Sequence, residues 1–166
     1  MSYSAFKFEH EGHKFSADDI YDEGMGAPWE EHDGHGIVSD WTTRAKRPGE
    51  LVLCSDHGSK RFYDFQASVK RARAEGWDAA PYGGTKGERA HRATLADFEH
   101  LKAWCEDRWH WCCVTVALLD DYGDEMGETA SLGGIESSST EYLKEAAEEL
   151  AGEILWSLSD RLKQSA

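Results

Sequence analysis

The stretch that most constrains the fold is Leu95–Leu119, L-A-D-F-E-H-L-K-A-W-C-E-D-R-W-H-W-C-C-V-T-V-A-L-L. Its first half has helical periodicity: Phe98, Leu101, Cys105 and Trp109 share a stripe that Trp104 widens. Thr94, followed three residues later by Asp97, predicts an N-cap with an acidic variant of the capping box. From Trp111 the period becomes two. Trp111, Cys113, Ala117 and Leu119 alternate with Cys112, Val114, Val116 and Leu118, and both sets are almost wholly apolar. That pattern predicts a central strand covered on both faces. An amphipathic helix feeding such a strand is expected to be the unit around which the rest packs.

The other elements are predicted from shorter signals. Ala5–Phe15 alternates around Phe6, Phe8 and Phe15, with Glu11-Gly12 as a tight turn, so a hairpin is expected. Asp18–Gly26 reads as an acidic connection. Residues 26–49 have neither period and several Gly and Pro, which predicts a long loop pinned by Trp29 and Trp41. Leu51–Cys54 and Lys60–Tyr63 flank S-D-H-G-S as a second hairpin. Asp64 caps a short helix carrying Phe65, Val69 and Ala72 on one face, with Gly76 at its C-terminus. Asp78–Gly87 reads as a flexible connection. After Leu119, D-D-Y-G-D-E-M-G returns the chain into Glu128–Leu132 as a third hairpin, and Ser131-Leu132-Gly133-Gly134 reads as a turn. Ser138 and Glu141 form a capping box for a terminal helix whose buried stripe is Leu143, Ala147, Leu150, Ile154, Leu158 and Leu162. At 166 residues the size prior gives one domain spanning 1–166. The expected class is α+β: an antiparallel sheet built from hairpins, with two or three helices packed on one face.

No apolar run approaches the roughly 20 residues that span a bilayer, so no membrane partner is expected. The N-terminal residues lack a basic and then apolar leader pattern, which points to the cytoplasm. The four cysteines show no framework spacing, and reduced thiols are the simplest reading. Net charge is −14 and lies at the ends of the chain: residues 1–36 carry 2 basic and 9 acidic side chains, residues 114–166 carry 3 and 12, and the middle is near neutral. Such a field disfavours direct nucleic-acid binding and favours a partner with a basic surface.

Several chemical sites can be drawn. His32-x-x-His35 and Cys54-x-x-His57 supply four N/S ligands that tetrahedral zinc accepts, making zinc the one cofactor the sequence raises. Glu30, Glu31, His32, Asp33 and His35 hold acid/base groups, but nothing in their spacing enforces convergence. Cys54 beside Asp56 and His57 invites thiol chemistry, and a structural thiol is the plainer reading. Arg44, Lys46, Arg47, Lys60, Arg61, Lys70, Arg71 and Arg73 can form a basic face beside Trp41, or pair internally with acids. No nucleophile elbow, phosphate loop or dinucleotide fingerprint is present. The balance therefore favours a binding protein over an enzyme.

The segments G-A-P-W-E-E-H-D-G-H-G, S-D-W-T-T-R-A-K-R-P-G-E and K-R-F-Y-D-F-Q-A-S-V-K-R-A-R-A-E-G-W, continuing through A-W-C-E-D-R-W-H-W to the acidic terminal helix, resemble small acidic proteins encoded by tailed bacteriophages and prophages. The resemblance covers most of the chain. It implies a bacterial-cytoplasmic setting and an accessory role during infection, and it transfers no mechanism. In that setting the terminal-helix acids Glu141, Glu145, Glu148, Glu149 and Glu153 gain a meaning. A helix rises about 1.5 Å per residue and duplex DNA carries a charge about every 1.7 Å of axis, so carboxylates on one helix side can imitate phosphates. The expectation is a host nucleic-acid-handling or defence protein as partner, bound through those glutamates with Trp29 and Trp41 as further contacts. The alternative is a zinc-stabilised or zinc-dependent enzyme built on His32, His35, Cys54 and His57.

Overall fold

The structure is a computed structural model that describes residues 2–77 and 83–166. In chain order its elements are β1 (Ser2–His10), β2 (His13–Tyr21), α1 (Pro28–Glu31), β3 (Ile37–Val38), β4 (Glu50–Asp56), β5 (Ser59–Asp64), α2 (Phe65–Glu75), α3 (Lys86–Cys105), β6 (Trp111–Leu119), β7 (Glu125–Glu136) and α4 (Thr140–Gln164). The class is α+β, as the patterning predicts. Its antiparallel strands form two sheets rather than one, ordered β1-β2-β6-β7 and β3-β5-β4. The chain divides into two compact units. One comprises Met1–Met25 with Trp109–Ala166, and the other is the intervening Gly26–Arg108. The second unit is thus one continuous stretch, flanked in sequence by the two segments of the first. The division falls inside the opening stretch: α3 belongs to the inserted unit and β6 to the outer one.

The outer unit is a four-stranded sheet with α4 on it. Its four strands are joined as two sequence-local hairpins, β1–β2 and β6–β7, and β2 pairs with β6 across about a hundred residues, Phe15 opposite Leu118 and Ala17 opposite Val116. Glu11 and Gly12 both have positive φ (49° and 80°), the two-residue turn that matches strand twist and for which glycine is suited. β6 is interior, as its apolar run requires. Its Cys112, Val114, Val116 and Leu118 pack with Phe15, Ala17 and Ile135 against Leu143, Ala147, Leu150, Ala151 and Ile154 of α4. Burying each Leu or Ile side chain contributes roughly 1.5–3 kcal/mol.

Several local expectations are corrected. Asp18–Tyr21 continues β2 instead of forming a connection, because pairing with β6 outweighs the acids' low strand propensity. Ser131–Gly134 lies within β7, where the register shifts opposite Cys112–Val114. Gly134 has φ +70° there, and its N–H donates to Asp22 Oδ2 at 2.9 Å. The glycine pair makes a bulge rather than a turn. α4 has Ser139 as N-cap with no side-chain cap bond, so the Ser138–Glu141 box does not form. Its stripe is buried through Ile154, whereas Leu162 is 72% exposed.

The inserted unit packs α2 and α3 together and sets α3 on β4. The β4–β5 hairpin turns at His57-Gly58 (φ 44° and 89°). Asp64 Oδ1 accepts the Ala67 N–H at 3.0 Å, and Gly76 (φ 67°) ends α2, with the Trp77 N–H reaching the Ala72 carbonyl at 2.9 Å, both as the sequence predicts. The N-cap of α3 lies nine residues before the predicted one. Thr85 and Glu88 form a reciprocal capping box, while Thr94 is wholly buried mid-helix with its hydroxyl donating to the Ala90 carbonyl at 2.8 Å. A satisfied hydroxyl leaves no reason for the helix to start there. Of the predicted 78–87 connection, 78–82 lie outside the described residues and 86–87 are helical. The 26–49 segment is no bare loop. It contains α1, pairs β3 with β5, and bridges Thr42 to Lys60. Cys54 of β4 and Cys105 at the end of α3 form a disulfide, correcting the reduced-thiol expectation for that pair; spacing could not show it because the helix packing brings them together. Cys112 and Cys113 are free. Among the described residues no helix is long and apolar enough to cross a membrane.

Candidate functional site

The predicted acidic surface forms on α4. Leu143, Ala146, Ala147, Leu150 and Ile154 take the sheet-facing side, which leaves Glu141, Glu145, Glu148, Glu149 and Glu153 exposed. Glu141, Glu145, Glu149 and Glu153 follow one i+4 ridge, about 6 Å apart along the axis. The charge asymmetry of the sequence coincides with the division of the fold. The outer unit carries 18 acidic and 5 basic side chains, net −13, and the inserted unit carries 14 and 13, net −1. Trp29 and Trp41 belong to the inserted unit. The Arg61 guanidinium lies 5.4 Å from the Trp29 ring centre and 5.2 Å from that of Trp41. Trp29 also meets the edge of Trp104 at 5.5 Å, whereas Trp41 remains 45% exposed.

The four-ligand zinc set does not assemble. Cys54 spends its sulfur on the disulfide, and His57 sits fully exposed at the hairpin turn beside Asp56, to which its Nδ1 is hydrogen-bonded. His32 and His35 line one cleft of about 430 Å³, together with Trp29, Asp33, Gly34, Gly36, Arg71 and Glu75. Among the described residues no group of three or more His, Cys, Asp or Glu side chains is arranged to hold a metal ion. Of the predicted acid/base group, Glu31 accepts the Gly26 N–H at 2.8 Å, a loop-closing bond.

Behind the cleft is a polar cluster that pattern reading missed. Asp97 Oδ1 lies 2.7 Å from His35 Nδ1, and its Oδ2 accepts the Gly36 N–H at 2.8 Å and the Tyr63 hydroxyl at 2.7 Å. Ser68, wholly buried, accepts the Ile37 N–H at 2.9 Å. Segment 35–37 is thus hung on α2 and α3 by the Ser68 and Asp97 side chains, and Tyr63 of β5 joins through Asp97. A Cβ at Gly36 would stand 2.2 Å from the Tyr63 hydroxyl, so only glycine lets the backbone come this close. Burial first, and then the Asp97 carboxylate, pushes the Tyr63 phenol up from its ordinary value, keeping it a neutral donor. Beside a carboxylate, Nδ1 of neutral His35 holds the proton and Nε2 has the lone pair. The signal in the sequence was a carboxylate at i−4 from Leu101, within the buried side of α3.

Part of the basic face is engaged within the unit, while Lys60, Lys70 and Arg73 are exposed. Arg44 makes a two-pronged pair with Glu50 (2.7 and 2.8 Å) and lies over the Phe62 ring. The Arg47 N–H donates to the same carboxylate, and Lys46 Nζ donates to the Glu50 carbonyl. The Arg44 hydrogen bonds hold Glu50 down at about 2. Arg71 donates to the His35 carbonyl at 3.2 Å.

Taken together these features define an α+β protein with one strongly acidic unit and one near-neutral unit that contains a His–Asp cleft. No protein family, curated protein or solved structure matches the chain.

Proposed function

We propose that the outer unit is an acidic docking module of a phage-type accessory protein. It binds the basic surface of a host nucleic-acid-handling or defence protein, presenting carboxylates where that surface takes phosphates. The observation that carries this reading is the segregation of charge: net −13 of the total −14 lies on the unit whose terminal helix exposes five glutamates. Net charge shared evenly over a surface serves solubility, but charge gathered on one unit gives a directed field that steers a complementary partner. Near-repulsive glutamates at i,i+4 cost a helix roughly 0.2–0.5 kcal/mol per pair, so this ridge is not there for helix stability.

The test is capture of a partner from bacterial lysate on the immobilised protein, followed by competition. Duplex DNA should displace the captured protein, rising salt should weaken binding, and Gln at Glu141, Glu145, Glu148 and Glu149 should slow association while leaving the fold intact. A captured partner indifferent to DNA, salt and these substitutions refutes nucleic-acid mimicry.

A further inference from the structure

We infer that the cleft beside His35 binds a single imidazole-preferring divalent ion such as Zn²⁺ or Ni²⁺, with His35 Nε2 and His32 as protein ligands and water in the remaining positions. The site lies wholly within the inserted unit and is independent of the acidic module.

The argument begins with the orientation of His35. Its Nδ1 is engaged by Asp97, a carboxylate whose side chain is only 9% exposed and which also takes the Gly36 N–H and the Tyr63 hydroxyl. A histidine that donates its Nδ1 proton to a buried carboxylate has a fixed ring and a fixed tautomer, the arrangement that recurs behind metal-ligating histidines. The ring itself is 16% exposed and lines the cleft, so it is held by its buried partner without being sealed from solvent. His32 lines the same cleft, three residues earlier, across Gly34 at φ +89°. Divalent zinc, nickel and copper favour imidazole over the all-oxygen shells that suit magnesium and calcium. The charges around the cleft favour a cation as well: Asp33 and Glu75 line it and Asp97 backs it, against the one arginine, Arg71, whose guanidinium is turned to the His35 carbonyl. Two imidazoles with water form an open shell, consistent with the lack of any three converging ligands among the described residues.

The same hydrogen bonds also pin segment 35–37, and pinning alone predicts no metal affinity. Calorimetric titration of the purified chain with ZnCl₂ and with NiCl₂ separates the two. A saturable single equivalent is expected, weakened at least about tenfold by His35→Ala or His32→Ala and unchanged by His57→Ala. Asp97→Asn should weaken it about 10–100-fold by freeing the ring. Long-range ¹H–¹⁵N spectra of the metal-free wild type near about pH 8 should show His35 protonated on Nδ1, with Nε2 shifting on metal addition. This readout needs no variant to fold. Absence of saturable binding, equal loss in His57→Ala and His35→Ala, or a His35 proton on Nε2 overturns the inference.

Discussion

Replacing Asp97 should release the 35–37 segment, at a cost that the hydrogen-bond inventory allows to be worked out. In Asp97→Ala the Gly36 N–H and the Tyr63 hydroxyl both lose their acceptor, and both are buried. A stranded buried donor costs about 1–3 kcal/mol. His35 adds little, since its ring already reaches the cleft and can turn to water. Tyr63 keeps a weak fallback in the Thr94 carbonyl at 3.4 Å. The sum is a loss of roughly 2–5 kcal/mol in the stability of the inserted unit. Tyr63→Phe removes the donor and leaves Asp97 two others, so alone it should cost only about 0.5–1.5 kcal/mol. In the Asp97→Ala background Tyr63→Phe should cost less still, because it removes a group already stranded. Urea unfolding of the four proteins gives the cycle, and hydrogen exchange over residues 34–38 localises the effect, with faster exchange expected in Asp97→Ala. A loss below about 1 kcal/mol for Asp97→Ala, or an equal cost of Tyr63→Phe in both backgrounds, would show that the cluster does not hold the segment.

Glu50→Gln should lower stability at neutral pH and flatten its fall in acid. The native carboxyl is held at about 2 against an ordinary 4.5, so its contribution is complete above the ordinary value and disappears as pH falls through the native one. Between those limits the wild type should take up one more proton on unfolding than the variant, measurable from the pH slope of urea midpoints; parallel slopes would contradict the Arg44–Glu50 pair. Reduction of Cys54–Cys105 opens a cross-link between residues 51 apart in sequence, worth roughly 4 kcal/mol in the chain-entropy account. A reductant should therefore lower the urea midpoint of the inserted unit while exchange in the α4-covered sheet stays unchanged, and an unaltered midpoint would refute the staple.

What the sequence made legible follows from the range of each interaction. The turns at Glu11-Gly12 and His57-Gly58, the Asp64 and Gly76 caps, and the interior character of Trp111–Leu119 rest on contacts within a few residues or on a continuous apolar run. The helix start that Thr94 predicts is not used, for the opposite reason. Thr94 satisfies its hydroxyl on Ala90, and the T-x-x-E box that does open α3 lies before a stretch with little apolar periodicity. The β2–β6 pairing was out of reach too, since nothing local in K-F-S-A-D-D-I-Y specifies a partner a hundred residues away. That pairing makes one unit of the two ends of the chain. It explains how a helix and a strand adjacent in sequence come to serve different cores.

The candidate sites divide along the same line. The glutamate face of α4 was readable because a helix's exposed side is the complement of its apolar stripe, and Leu143–Ile154 defines that stripe locally. The His35 cluster was only half readable. His32 and His35 announced themselves by type and spacing, but the group that gives His35 its orientation is a single carboxylate, Asp97, sixty-two residues on. Pairing the histidines instead with Cys54 and His57 asked for a convergence that the disulfide and an exposed turn prevent. Charge reveals more once the fold is known. Acidity that appears in sequence as two separate terminal clusters becomes one unit's property, because β2 pairs with β6 and gathers both ends onto a single sheet. Residues 26–108, with 14 acidic and 13 basic side chains, stay near neutral, while the unit made from the two ends holds 18 carboxylates against 5 basic groups. The asymmetry is therefore produced by a long-range strand pairing, which no local charge run in the sequence can reveal.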